Sequence, residues 1–153
     1  MEFIKQLLFG RKIYFNDPVL GKFSTRVKSD NPSINRTWYS AKRIGNYPED
    51  TLFILEGNSR GPNKMELESV RKLMAELPQV MNQVDKDLSQ KANYNKFKDW
   101  KSSLYLSAVN PYEKGFEVQF EANITYEDPD DTRIVSFMWR NGKVSEVEGT
   151  GEI

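Results

Sequence analysis

Between residues 63 and 91 the apolar positions recur at alternating steps of three and four: Leu67, Val70, Met74, Leu77, Met81, Val84 and Leu88. That spacing lines one face of an α-helix. Asn63 can cap the first turn, Glu66 stands three residues on to complete a capping box, and Gly61-Pro62 ends whatever precedes. Pro78 lies inside the span, where a proline removes one hydrogen bond and clashes with the turn before it, at about 3 kcal/mol or more. The apolar phase nevertheless continues across it. One long helix kinked near Pro78 is therefore expected, the alternative being a second helix that starts at the proline. Leu73 and Val80 widen the stripe beyond a coiled-coil seam, so the helix should lie on a sheet.

On either side the pattern shortens to strands and turns. Candidate strands cover residues 11–16, 19–27, 37–44 and 51–56 before the helix, and 102–109, 116–126, 133–140 and 143–148 after it. In the clearest of them Phe116, Val118, Phe120, Ala122, Ile124 and Tyr126 alternate with polar residues, which means one buried face and one wet face. Asn141-Gly142 between two strands predicts a type I′ hairpin, with Trp139 opposite Val144 and Phe137 opposite Glu146. Trp100 should plug the junction between the helical region and the later strands. The expected fold is a single α+β domain over residues 1–153. Its antiparallel sheet combines N-terminal and C-terminal strands, and the helix of about 63–91 packs on one face.

Residues 1–9 read as a short amphipathic helix or first strand tucked against the core, with attachment to a membrane surface as the alternative. The stretch is too short and too charged for a signal peptide. No apolar run approaches the ~20 residues that span a bilayer. A cytoplasmic protein without a membrane partner is the expectation.

Composition narrows the chemistry more than it defines it. The chain has no cysteine and no histidine, which leaves no disulfide, thiolate nucleophile, ordinary zinc site or imidazole base. Catalysis would fall to carboxylates, Lys, Tyr, Ser or Thr, and a non-enzyme without cofactor or metal is expected. Net charge is zero, yet residues 1–60 carry ten Lys/Arg against six Asp/Glu, while residues 111–153 carry four against ten. The two segments are expected to pair within the fold; otherwise the acidic one faces a basic partner.

Three motifs resolve into ordinary structure. Residues 57–62 bear two glycines before a helix but lack the Gly-Lys-Ser/Thr ending, and Pro62 has no N–H to offer a phosphate. The carboxylates of residues 127–131 lack the spacing of a calcium loop and read as a solvated turn. Arg36, Lys42 and Arg43 beside Trp38 and Tyr39 would suit single-stranded nucleic acid, but overall neutrality and the lack of an RNA-binding motif argue against it.

The polar side of the long strand, Glu117, Gln119, Glu121 and Asn123, is the candidate partner-binding face. Glu117 and Glu121 would stand about 13 Å apart at about 3.3 Å per residue. That is wider than the roughly 5–9.5 Å between glycosidase carboxylates.

Asp17-Pro18-Val19-Leu20-Gly21-Lys22-Phe23, the strands around Trp38 and Leu52 to Leu55, the helix with Leu67 and Val70, and the final hairpin over residues 137–147 together resemble a group of small, largely uncharacterised bacterial proteins. Some of that group are placed near polymorphic-toxin systems as candidate immunity proteins. The resemblance implies a non-catalytic protein-binding domain with a toxin-neutralising role. Two other readings stand beside it: a small-molecule binder or carboxylate-based enzyme with a pocket between sheet and helix, and a homodimer through an exposed sheet edge.

Overall fold

The computed structural model describes residues 1–112 and 118–152. It is an α+β fold whose mixed, mostly antiparallel sheet runs in the order β1-β2-β3-β4-β6-β7-β8-β9, with a short ninth strand, β5, paired to β4. The first half comprises β1 (Arg11–Asp17), β2 (Gly21–Val27), β3 (Arg36–Lys42), β4 (Thr51–Asn58) and β5 (Gly61–Pro62). The second comprises β6 (Leu104–Pro111), β7 (Gln119–Tyr126), β8 (Ile134–Arg140) and β9 (Lys143–Thr150). Each half is an antiparallel meander. They meet where Leu52 and Phe53 of β4 pair with Ala108 and Val109 of β6, and this pair is parallel. The wholly antiparallel sheet expected from the sequence is thus corrected at its centre. A helical crossover carries the chain back to the end of the sheet at which β4 began, so the strands it joins run the same way.

The crossover contains α2 (Lys64–Ala75), α3 (Leu77–Leu88), a 3₁₀ turn (Tyr94–Phe97) and the short α4 (Trp100–Ser103). The expected single kinked helix is two helices. They break at Glu76, which has φ −102° and ψ 13°, and Pro78 sits in the first turn of α3, where its missing N–H would have had no intrahelical partner. The apolar phase survives the break: Leu67, Val70 and Leu73 of α2 and Val80, Val84 and Leu88 of α3 are buried in one core. The capping box is also only half realised. Asn63 accepts from the amides of Met65 and Glu66, but the Glu66 carboxylate accepts from the Glu56 N–H at 2.6 Å. Asn63's own N–H goes to the Glu56 carbonyl at 2.8 Å.

The core lies between these helices and the inner side of the sheet, with Phe23, Trp38, Phe53, Phe120, Phe137 and Trp139 among its largest members. Each indole N–H finds an acceptor: Trp38 donates to Asn58, Trp139 to the Ser69 carbonyl of α2 and Trp100 to Asp85 of α3. Two of them therefore tether helix to sheet or helix to crossover while filling volume. Trp100 occupies the junction, as expected. Asn141 and Gly142, at φ 52° and 70°, make the predicted hairpin turn and set Trp139 opposite Val144. The register then slips. Ser136 faces Glu148 while Met138 faces Ser145, so Phe137 meets a bulge over Glu146 and Val147 and not Glu146 alone.

At the other end, α1 (Glu2–Phe9) has no buried residue. This corrects the expectation that the N-terminal element tucks against the core. Among the described residues no helix is long and apolar enough to cross a membrane.

Candidate functional site

All the helices that pack on the core do so from one side, so the opposite side of the sheet is open. The registers fix its members. On β7, Glu121 stands between Asn110 of β6 and Met138 of β8, and Asn123 between Ala108 and Ser136. Thr125 stands between Tyr105 and Ile134. Across the central seam the same side carries Leu52 and Ile54 of β4 and Tyr39 and Ala41 of β3, since Leu52 pairs with both Ala108 and Ala41. Tyr39 is 49% exposed and Leu52 37%. An aromatic and aliphatic patch thus adjoins a strip of amide, hydroxyl and carboxylate groups that includes Glu121 and Asn123.

The four residues expected to form a recognition face do not share one fate. Glu121 and Asn123 lie on the open side and are half-buried by their neighbours. Gln119 is only 4% exposed, and its side-chain carbonyl accepts from Arg140 Nε at 3.0 Å. It is covered by the residue directly opposite on β8, a cross-strand effect invisible along one strand. Glu117 lies outside the described residues. Leu52 was missed because it belongs to another strand, and Tyr39 stood out only beside Arg36, Lys42 and Arg43. Pairing across a seam that joins residues 52 and 108 leaves no signal at strand period.

Charge on the molecule follows the strand order. The basic segment forms one lateral half of the sheet and the acidic segment the other. Ion pairs among the described residues stay within a half, as with Arg140–Glu146, stay within the crossover, as with Lys101–Asp85, or run from a half to the crossover, as with Arg71–Asp17 and Arg133–Asp99. Among the described residues no ion pair joins the basic segment to the acidic one, and the two segments lie towards opposite edges of the sheet. The halves leave a lateral charge asymmetry instead.

Two carboxylates of the β7–β8 turn, Asp128 and Asp131, are engaged locally. Asp131 holds the Arg133 guanidinium in a fork, Arg133 also donates to the Lys96 carbonyl, and its plane lies 3.7 Å over the Tyr126 ring. Tyr126 in turn donates to Asp99 at 2.8 Å. Burial, then the hydrogen bond to Asp99, pushes the Tyr126 phenol well above its ordinary range. Asp128 accepts from the Asp130 amide. Among the described residues no group of three or more His, Cys, Asp or Glu is arranged to hold a metal ion.

Two hollows border the helical layer. One of about 490 Å³ lies between the 32–35 loop and the β4–β5 turn, lined by Phe15, Asn35, Glu56, Arg60 and Lys64 among others. Its polar groups are largely engaged: Glu56 accepts from Asn35 and Thr37, and Asn63 caps α2. The second, about 330 Å³, opens between α3 and the sheet on Met81, Trp100, Leu104 and Leu106, with Tyr47 and Lys101 at its rim. The Tyr47 phenol is raised by burial, partly offset by a hydrogen bond with the Leu106 backbone. Comparison of the chain with protein-family models, with curated proteins and with solved structures finds no match.

Proposed function

We propose that this chain is a non-catalytic bacterial binding protein that engages a partner protein through the open side of its sheet. The reading rests on one observation: an exposed aromatic and aliphatic patch at Tyr39 and Leu52 stands beside the half-buried Glu121 and Asn123. Such a patch supplies anchoring area, and the acidic strip supplies orientation and selects a basic partner. A toxin-neutralising role fits the resemblance of the sequence, and a cytoplasmic setting fits both.

The test is capture of partners from the native host with the full chain as bait. Glu121→Lys should remove a specific partner while leaving the melting temperature within about 2 °C, as expected of a surface change worth under roughly 0.5 kcal/mol. Tyr39→Ala should weaken the same capture. An unchanged partner set for both variants would sink the proposed face.

The hollow between α3 and the sheet favours a second reading, a small-molecule binder. At about 330 Å³ with an apolar floor and a few polar groups at the rim, it sits at the small end of ligand sites. A metabolite at 100 times its Kd would add about 2.7 kcal/mol of stability. Thermal-shift screening that finds no stabilising compound would count against this reading and leave the first untouched.

A further inference from the structure

The helix α1 shows its whole apolar content to solvent: Phe3 is 77% exposed, Leu7 71% and Phe9 61%. At 100° per residue Phe3, Ile4, Leu7 and Leu8 form one stripe, with Glu2, Lys5 and Gln6 on the other side. The helix is held in place without being packed. Gly10, at φ 86°, brings the chain so close to the Val27 carbonyl that no side chain would fit, and Arg26 donates to the Gly10 carbonyl at 2.9 Å. Arg26 also reaches Glu2 at 4.0 Å. A cleft of about 400 Å³ lined by Gln6, Leu7, Arg11 and Lys28 separates α1 from the sheet. An exposed stripe of this kind, fixed at the end of a sheet, calls for an occupant.

The surrounding charge selects one. Lys5, Lys12 and Lys28 are exposed and have no carboxylate partner among the described residues. Arg11 is also exposed, paired only to Asp30, and Asp17 is buried against Arg71. A second copy placed symmetrically on α1 would bring these cations face to face. An eight-residue helix is also only about 12 Å long, too little to supply the roughly 1,200–2,000 Å² of a stable interface by itself. An anionic bilayer surface answers both features, taking the apolar stripe at the headgroup boundary while attracting the cations around it.

We propose that α1 and its basic surround form an interfacial anchor that docks the domain reversibly on anionic membrane surfaces. The anchor spans nothing. Lys12 lies on the same side of the sheet as Tyr39, but α1 itself sits against the edge strand β1, so vesicle binding and partner capture are read separately and either proposal can fail alone.

Co-sedimentation of the full chain with vesicles of phosphatidylcholine, alone or equimolar with phosphatidylglycerol, tests it. Binding is expected only to the anionic vesicles and should weaken steeply with salt. The double variant Leu7→Glu/Leu8→Glu should abolish it. Lys12→Glu/Lys28→Glu should weaken it at least about twentyfold, since each cation near such a surface is worth roughly fivefold. Both variants should melt with the wild type, because the changed side chains bury nothing. Failure of the wild type to bind, equal binding to both vesicle types, or a dimer abolished by Leu7→Glu/Leu8→Glu without vesicle binding would each overturn the proposal. So would early melting of that variant, which would mean that α1 packs on the body.

Discussion

Replacing Asp17 by alanine probes how the first hairpin is tied to the helical layer. Asp17 closes β1, and its side chain is fully buried. One carboxylate oxygen accepts from the amides of Val19 and Leu20 at 2.9 and 2.8 Å; the other takes a two-pronged contact from Arg71 of α2. Removing the carboxylate orphans the amide of the buried Leu20, at about 1–3 kcal/mol, and forfeits charged hydrogen bonds of about 1.5–3 kcal/mol. Arg71 is 38% exposed and regains water, which keeps the total near the low end of the ~3–5 kcal/mol seen when a buried pair loses one member. A loss of about 3–4 kcal/mol corresponds to a melting temperature lower by roughly 6–16 °C for a chain of this size. Asp17→Asn keeps an acceptor for the amides and should lose about half as much.

The same substitution carries a pH signature. Burial alone would raise the Asp17 carboxyl; Arg71 and the two amides outweigh it and hold it below the usual carboxylate range. A carboxyl depressed in the folded state stabilises above its unfolded value of about 3.9, and that stability is lost as pH falls through the folded value. The gap between wild type and Asp17→Asn should therefore be flat near neutrality and close below about pH 4. Denaturant melts from neutral to acid pH measure both quantities. A loss under about 1 kcal/mol for Asp17→Ala, or a gap that widens in acid, would refute this account.

Three further outcomes follow from the packing. Gly149→Ala would drive a Cβ to 2.6 Å from the buried Phe97 ring, so urea melts should show a loss of about 1–3 kcal/mol from overpacking. Pro78→Ala should change stability by under about 1 kcal/mol, because the proline already occupies a first-turn position; a gain above about 2 kcal/mol in thermal melts would mean it strains one continuous helix. Arg133→Met should cost about 2–4 kcal/mol by urea denaturation, since Asp131, the Lys96 carbonyl and the Tyr126 ring lose a shared partner. Arg133→Lys should restore less than half of that, because an ammonium cannot reproduce the fork.

Elements governed by local periodicity were legible in the sequence. The apolar phase from Leu67 to Leu88 found the helical layer, alternation through Ala122 and Ile124 found β7, and Asn141-Gly142 found the last turn. What escaped were decisions taken between segments. Periodicity cannot see that helical phase continues across Glu76 while the hydrogen-bond ladder does not. Nor can it see that Arg140 covers Gln119 from the next strand, or that a bulge at Glu146 shifts the partners of Phe137. Asp17-Pro18 reads in the sequence as the turn between the strands expected over 11–16 and 19–27, yet its carboxylate is a structural tie whose partner lies 54 positions away. On the open face, Glu121 and Asn123 were foreseeable from alternation. That Tyr39 and Leu52 share this face was not, because strand order decides which distant strands become neighbours.

The two-residue parallel seam has a kinetic consequence. Within each meander every strand pairs with the next one along the chain, so its contacts close short loops. The seam joins them only after the whole crossover is in place, and the Thr51 hydroxyl that donates to the Leu106 carbonyl at 2.6 Å bridges 55 positions. Closing a loop that long costs roughly 1.5 kcal/mol more than closing one of ten residues. The meanders are thus the inexpensive part of folding and the seam its late step. Amide exchange should follow the same division, with Leu52 and Val109 opening only when the helical layer lets go and the outer hairpins breathing on their own.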